Sequence, residues 1–267
     1  MGQKTIFITG GASGIGRAVA ERFGRAGWFV GIADINEEGM AGTAALIPAG
    51  FSSQHKLDVR DRAAWDMALA DCAAAAGGKI DVVFNNAGIP LGGRIIDCSP
   101  EEVERTLDIN LKGVIFGAQA AWPYLKAAGP GSCLLNTASA AGIYGVPGGS
   151  IYSATKFGVR GITESLDGEW KEDGIRVRDL MPSFIETPLL DHAPNRASNE
   201  DIRGRVTSAG LEITAVSDVA EAAWAAVHGE KLHTLVGKTA RKIGFAARWM
   251  PGALRKQVGA LGNPMGG

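Results

Sequence analysis

The chain has little of what marks a metal, disulfide or nucleic-acid protein. Cysteine is scarce: Cys72, Cys98 and Cys133 are widely spaced, with no C-x-x-C pair. That spacing argues against both a disulfide framework and a zinc site. The histidines, His55, His192, His228 and His233, are scattered and no H-E-x-x-H pattern unites two of them, so no metal is expected. Neither sign of charge is in excess. The 27 Lys and Arg against 28 Asp and Glu leave a formal net charge of −1, and charged residues make up 21% of the chain. This is no electrostatic footprint for nucleic acid. Long apolar runs are missing as well: nothing approaches about eighteen consecutive apolar residues. The short run in "MGQKTIFITGG" is broken by Thr and Gly, too soon for a signal core. Gly2 is followed by Ile6 where a myristoylation pattern needs Ser or Thr. A soluble, cytoplasmic protein with small or proteinaceous partners is the expectation.

What the chain does have is alternation. The strand-like runs "TIFIT", "WFVGIAD", "SSQHKLDV", "IDVVFNN", "SCLLNTAS" and "IRVRDLMP" are separated by stretches rich in Ala, Glu and Arg, and "HTLVG" supplies a seventh. Repeated βαβ units build a mostly parallel sheet covered on both faces, so a single doubly wound (Rossmann) α/β domain of seven strands is expected. Asp61 and the run Ser99-Pro100-Glu101-Glu102 carry helix-start chemistry.

The first strand runs into "TGGASGIGRAVAERF", which sets Gly10, Gly14 and Gly16 ahead of an amphipathic helix. Glycines let backbone N–H groups approach a pyrophosphate, and the helix start adds orphan donors and a positive dipole end. A plain tight turn reads the same way. Asp34 raises the odds, because it ends the second strand eighteen residues beyond Gly16. An acid about twenty residues on meets the adenosine ribose hydroxyls. It would also repel a 2′-phosphate, and neither Ile35 nor Ser13 offers a compensating positive charge. NAD is therefore favoured over NADP. Asp34 is also placed to cap the following helix.

Tyr152 and Lys156 of "YSATK" lie one helical turn apart, which by itself describes any solvated helix face. Taken with the G-x-x-x-G-x-G spacing and "NNAG" at 85 to 88, the chain resembles the classical short-chain dehydrogenase/reductase family over residues 4 to 237. The resemblance implies a catalytic tetrad of Asn110 in "LDINLKG", Ser139 thirteen residues before the tyrosine, Tyr152 and Lys156. It implies cofactor contacts at Gly10, Ser13, Gly14, Ile15 and Gly16, at Asp34, and at Asp58 and Val59 for the adenine. Asn86, Ala87 and Gly88 would line the ribose, Ile185 and Thr187 of "PSFIET" the nicotinamide, and Tyr152 and Lys156 would also touch the coenzyme. Ser183 stands where the family usually has glycine. Asn85 and Asn86 could equally satisfy buried backbone groups.

In the implied chemistry Tyr152 is the acid/base. Its reference pKa near 10 calls for a downward shift of about three units, roughly 4 kcal/mol, which Lys156 and an oxidised nicotinamide would both favour. Ser139 would fix the substrate oxygen, and Asn110 would hold water on a proton path towards Lys156. The leading reading is an NAD(H)-dependent alcohol dehydrogenase or ketoreductase. An NADP-dependent ketoreductase and a non-catalytic NAD sensor are the alternatives. Members usually form homodimers or homotetramers through helices around 99 to 128 and 151 to 173.

For the substrate, Ser139 and Tyr152 with Pro90, Leu91, Ile143, Tyr144, Val146, Phe184 and Leu189 make a mostly apolar lining, which points to an apolar secondary alcohol or ketone. Residues 187 to 213 are long and polar enough for a lid with a short helix. Past residue 237 the family's usual ending is missing. Residues 238 to 267 carry six basic side chains and no acid, which leaves the remainder at −7. Ile243, Ala246 or Ala247, and Met250 mark a helical stripe. Packing of this extension on its own catalytic domain (1 to 237) or a partner subunit is favoured over transient attachment to a membrane surface.

Overall fold

All seven apolar runs become parallel strands of one sheet. The computed structural model describes residues 3–193, 195 and 201–260. Gly2, residues 194 and 196–200 of the expected lid, and the end of the extension from 261 lie outside the described residues. In chain order the strands are β1 (Thr5–Thr9), β2 (Phe29–Asp34), β3 (Ser52–Lys56), β4 (Val82–Asn85), β5 (Cys133–Thr137), β6 (Arg176–Pro182), a short β7 (Phe184–Ile185) and β8 (Ile213–Thr214), and β9 (His233–Val236). The main sheet runs β3-β2-β1-β4-β5-β6-β9, with every pair parallel. Every residue of β1, β4 and β5 is buried, which is why these strands read as unbroken apolar runs. The order reverses between β1 and β4. A crevice opens outside the carboxyl ends at such a switch point.

Helices α1 (Gly14–Arg25) and α2 (Glu37–Ala44) cover one face; α3 (Arg62–Ala75) belongs to the other, where Trp65 and Leu69 are fully buried. Asp61 caps α3 through Ala63 N and Ala64 N. Ser99 and Glu102 close a capping box on α4 (Pro100–Leu107). From α4 the chain widens into a π-helical turn, Asp108–Lys112, before α5 (Gly113–Ala128). Next come α6 (Ser150–Glu169), α7 (Ile202–Ser208) and α8 (Val216–His228), the last packed on α1 around Phe23, Trp28 and Trp224. Among the described residues no helix is long and apolar enough to cross a membrane.

Two parts add detail to what the sequence leads one to expect, a short helix within 187 to 213 and an extension packed on its own domain. β7 and β8 pair as a second small sheet, and Leu190, Ile202 and Val206 give the 187 to 213 segment a core of its own. After β9, helices α9 (Lys238–Trp249) and α10 (Pro251–Ala260) fold back onto the domain: α9 packs on β9 and on the turn that follows Ser139. Gly237 makes this reversal at φ 90°, where a Cβ would stand 2.6 Å from both Ser183 Oγ and Thr214 Oγ1.

The β6–β9 edge carries a titratable cluster. His233 Nδ1 sits 2.9 to 3.0 Å from the oxygens of the fully buried Asp179, and Nε2 is 3.1 Å from Glu164 Oε1, which also accepts from Arg160 Nε. The hydrogen bond to Asp179 is the main cause that holds the imidazole above its ordinary value, against burial. A raised folded pKa gives stability that is complete below the unfolded value of about 6.5 and lost as pH rises through the folded one. His233→Gln should therefore melt furthest below wild type near about pH 5.5 and converge on it by about pH 9. Thermal melts across that range check this; a constant gap would remove the histidine's charge from the explanation.

Candidate functional site

The carboxyl ends of the strands open into one cavity of about 900 Å³. Its first wall is the glycine turn. Gly10 and Gly14 have φ of 67° and 51°, and a Cβ on Gly16 would lie 2.2 Å from Gly10 O, so the backbone must be bare here. The turn is braced from behind: Arg17 donates to Ala12 O at 2.5 Å and to Thr43 Oγ1 at 3.1 Å, while Thr43 Oγ1 donates to Gly11 O at 2.8 Å. Sequence reading misses this brace, because nothing local distinguishes Arg17 from any other helix-surface arginine.

Gly10, Ser13, Gly14 and Ile15 line the cavity, and so does Asp34. Asp34 Oδ2 accepts from Ala12 N at 3.1 Å and Oδ1 from Asn36 N at 3.0 Å. The cap of α2 is Asn36, which accepts from Gly39 N, so the capping role considered for Asp34 belongs to its neighbour. Asp58 and Val59 line the cavity beside Arg60, which pairs with Asp58 at 2.6 Å. Its hydrogen bonds hold the Asp58 carboxyl below the usual carboxylate range.

Asn86, Ala87 and Gly88 follow β4 along the floor. The Asn86 side chain donates to Thr9 O at 3.0 Å and accepts from Thr137 Oγ1 at 3.2 Å, while Thr9 Oγ1 accepts from the Asn86 and Ala87 amides. Both ends of this amide therefore tie β1, β4 and β5 together. Asn85 is purely internal, donating to Val114 O and Asn136 Oδ1. Opposite the glycine turn, Ile185 and Thr187 line the cavity, and a Cβ on Gly14 would meet the Thr187 side chain at 3.3 Å. Ser183 donates its backbone N–H to Val236 O. Among the described residues no non-glycine has positive φ, so this position does not need the family's glycine.

Deeper in, α6 presents Tyr152 and Lys156, and the Lys156 Nζ lies 5.5 Å from the phenol ring centroid. Lys156 is 4% exposed and donates to Thr137 O at 2.8 Å. Burial pushes its ammonium down to about 8. Burial also raises the Tyr152 phenol, and a hydrogen bond with Ser139 works in the opposite direction. The sequence leads one to expect a phenol lowered by Lys156. Here desolvation prevails, with the ammonium directed to a carbonyl. Ser139 Oγ also accepts from Ala141 N at 3.1 Å.

Asn110 stands one layer back. In the π-helical turn its Oδ1 accepts from Ile89 N at 2.8 Å and its Nδ2 donates to Ile89 O at 2.9 Å. The extra backbone residue of the π turn aims this amide inward. Gly88 sits between it and the lysine: a Cβ there would lie 3.3 Å from Asn110 Oδ1 and 3.7 Å from Lys156 Nζ.

Of the expected substrate lining, Pro90, Tyr144, Val146, Phe184 and Leu189 face the cavity, with Ser139 and Tyr152. Ile143 and Leu91 do not. Ile143 packs with Leu111 and Leu235 around Val159 and Met181, and Leu91 is buried. Loop residues lack a periodicity that would tell inward from cavity-facing side chains. Ile202, Leu211 and Glu212 add to the wall, and the C-terminal extension supplies a further side through Thr239, Ile243, Ala246, Met250, Leu254 and Val258, together with the polar Lys238, Lys242 and Gln257. The apolar stripe on α9 was the sequence signal for this wall.

Comparison with known proteins follows the same path. Residues 4–197 match the family model described as short chain dehydrogenase. The chain is 39% identical to the 3-alpha-(or 20-beta)-hydroxysteroid dehydrogenase of Mycobacterium tuberculosis over 192 residues, 72% of each chain. It is also 39% identical to the 2-dehydro-3-deoxy-L-rhamnonate dehydrogenase (NAD(+)) of a Sphingomonas species, over 72% of this chain and 76% of that one. The short chain dehydrogenase/reductase of Burkholderia phymatum in complex with NAD superposes with a TM-score of 0.81 at 26% identity, over 96% of this chain and 95% of the other. A match that runs from the first strand past the sixth, on a sheet of this order, means that the chain belongs to the classical short-chain dehydrogenase/reductase family of oxidoreductases acting on CH–OH groups.

Proposed function

We propose that the protein is an NAD(H)-dependent oxidoreductase that interconverts an apolar secondary alcohol and its ketone. The observation that carries this reading is the placement of Tyr152, Lys156 and Ser139 in the same cavity as the glycine turn and Asp34. The residues present fit the dinucleotide: Gly16 lets the turn close tightly on Gly10, so that Gly10, Ser13, Gly14 and Ile15 present their backbone to the cavity where a pyrophosphate would lie, and Asp34 beside Ile35 favours a free ribose 2′-hydroxyl over a phosphate. Gly10 to Gly16, with Ser13 and Ile15, would hold the pyrophosphate, Asp58 and Val59 the adenine, and Asn86, Ala87 and Gly88 the ribose side. Ile185 and Thr187 would meet the nicotinamide. The NAD complex of the Burkholderia structure and the NAD(+) in the name of the Sphingomonas relative support this choice.

When bound, the oxidised cofactor supplies the hydride acceptor and a positive charge. The remaining work falls to the chain. Tyr152 takes the hydroxyl proton, and Ser139 fixes the substrate oxygen beside it. Lys156, with a pKa lowered to about 8, exchanges protons near neutral pH and restores the state of the phenol. The gap at Gly88, between Lys156 and Asn110, gives that exchange a route.

The substrate half of the cavity is mostly apolar, with Tyr144, Val146, Phe184, Leu189, Ile243 and Met250 on its walls and Glu212, Lys242 and Gln257 as its polar members. A secondary alcohol with a bulky hydrocarbon body suits it, as the name of the hydroxysteroid relative suggests. Absorbance at 340 nm with NAD and with NADP, against secondary alcohols of increasing hydrocarbon size, tests the assignment. NADH formation that strengthens with apolar size is expected; no turnover with any of them, or a preference for NADP, would overturn it.

The protein would act as a homodimer or homotetramer. Leu107, Ile115 and Phe157 expose apolar side chains on and beside the helices expected to pair. Phe157→Arg should therefore sediment as a monomer at a concentration where the wild type does not; unchanged sedimentation would rule out this face.

A further inference from the structure

The inner side of α9 closes the cavity, Lys238 and Lys242 border it, and the outer side, with Arg241, Phe245, Arg248 and Trp249, faces away from it. Every exposed position of α9 is basic or aromatic apart from the fold-facing stripe: Lys238, Arg241, Lys242, Phe245, Arg248 and Trp249. At 100° per residue these six fall on one face, opposite the fully buried Ala240 and the cavity-lining Ile243. Phe245 is 60% exposed and Trp249, one turn later, 64%. Such side chains are costly to leave in water. Lys238 reaches Glu212, but among the described residues Arg241, Arg248, Arg255 and Lys256 have no acidic partner, and the chain has no acid after Glu230. Helix α10 adds Arg255 and Lys256 to the same tract and is anchored by Leu254, which is 4% exposed.

We propose that the outer face of α9, extended by α10, docks the enzyme on an anionic lipid surface. A helix with aromatic side chains ringed by Lys and Arg settles at the headgroup level, with its rings in the acyl boundary and its cations on the phosphates. Charge complementarity selects this occupant. A second copy of this chain, or any protein, would have to offer a face of matching negative charge, whereas an anionic leaflet offers it everywhere. The cavity opens at the edge of this face, since Met250 lines it and is 51% exposed. The docked orientation would therefore bring the mouth of the cleft towards the lipid. This inference is independent of the cofactor and of the substrate.

Cosedimentation of the full chain with phosphatidylcholine vesicles, with and without phosphatidylserine, tests it. Binding is expected only with phosphatidylserine and should be released near 1 M salt, where the Debye length falls to about 3 Å. Arg241→Gln with Arg248→Gln should lower partitioning by about 25-fold, and Phe245→Ser with Trp249→Ser should abolish it. None of these four side chains lines the cavity, so turnover of a soluble alcohol should not change. Wild-type protein that stays in the supernatant, or variants that sediment like wild type, would overturn the proposal. So would sedimentation velocity in which the aromatic variant alone dissociates an oligomer, because the face would then be covered by a second copy.

Discussion

Tyr152→Phe should lower turnover by about 10³-fold or more and leave cofactor binding within about twofold of wild type. The two effects separate because the substitution removes one oxygen and nothing else. The ring that packs 5.5 Å from Lys156 Nζ stays, and so does the ammonium's bond to Thr137 O. What disappears is the atom that takes the proton. Positioned acid/base groups contribute about 10²–10⁴-fold, and no other group is placed to substitute. Lys156 lies behind the phenol with its charge held against a carbonyl, and Ser139 already accepts from Ala141 N. Turnover can be followed at 340 nm and binding by quenching of tryptophan fluorescence on NADH titration. Retained turnover would remove Tyr152 from the mechanism. Lost NADH binding would show that the phenol acts chiefly as a cofactor contact.

The burial of the phenol and the ammonium gives this experiment a second reading. Burial raises the phenol and lowers the ammonium to about 8, so each resists the charged form in which it is useful. Tuning by Lys156 alone would have given a phenol already low before anything binds. A site arranged in this way acquires its active protonation state only when a positive charge arrives beside it. The kcat/KM profile for alcohol oxidation should then rise with pH through the range in which the bound complex loses this proton.

Much of this was legible in the sequence, for definite physical reasons. The strands buried on both faces announce themselves as apolar runs, and Gly10, Gly14 and Gly16 are forced by the positive φ and the 2.2 Å approach that any Cβ would make. Tyr152 and Lys156 are tied by helical spacing. The illegible parts depend on partners distant in the chain. Arg17 braces the glycine turn only because Thr43 lies behind it. Asn86 looked as much a cofactor contact as a backbone tie; its amide serves β1 and β5, which only assembled strands reveal. Ile143 and Leu91 pack inward where the sequence leads one to expect cavity lining, because loops carry no periodicity to tell the two sides apart. The cleft wall from α9 and α10 showed itself only as a short apolar stripe in a basic tail, whose direction no local rule supplies.

Cofactor choice rests on two neighbouring positions, and changing them should reverse it. Ile35→Arg alone should raise NADP efficiency by about tenfold. Adding Asp34→Ser should move the NAD-to-NADP ratio of kcat/KM by about 10³-fold, measured at 340 nm. Ile35 lines the cavity and is 66% exposed, so an arginine there fits without disturbing the core and offers a bidentate partner to a phosphate. Asp34 acts by repulsion: two unit charges about 4 Å apart interact by about 4 kcal/mol at an effective dielectric of 20. The carboxylate also accepts from Ala12 N and Asn36 N, which ties the glycine turn to the start of α2. Serine keeps an acceptor for only one of these amides. The double variant should therefore lose about 1–2 kcal/mol of stability, and its melting temperature should fall while Ile35→Arg melts like wild type. That difference separates the two roles of Asp34. An unchanged cofactor ratio in a destabilised protein would leave it as a brace for the turn and move the choice of cofactor elsewhere, with Arg60, already paired to Asp58 in the same cavity, as the next charge to remove.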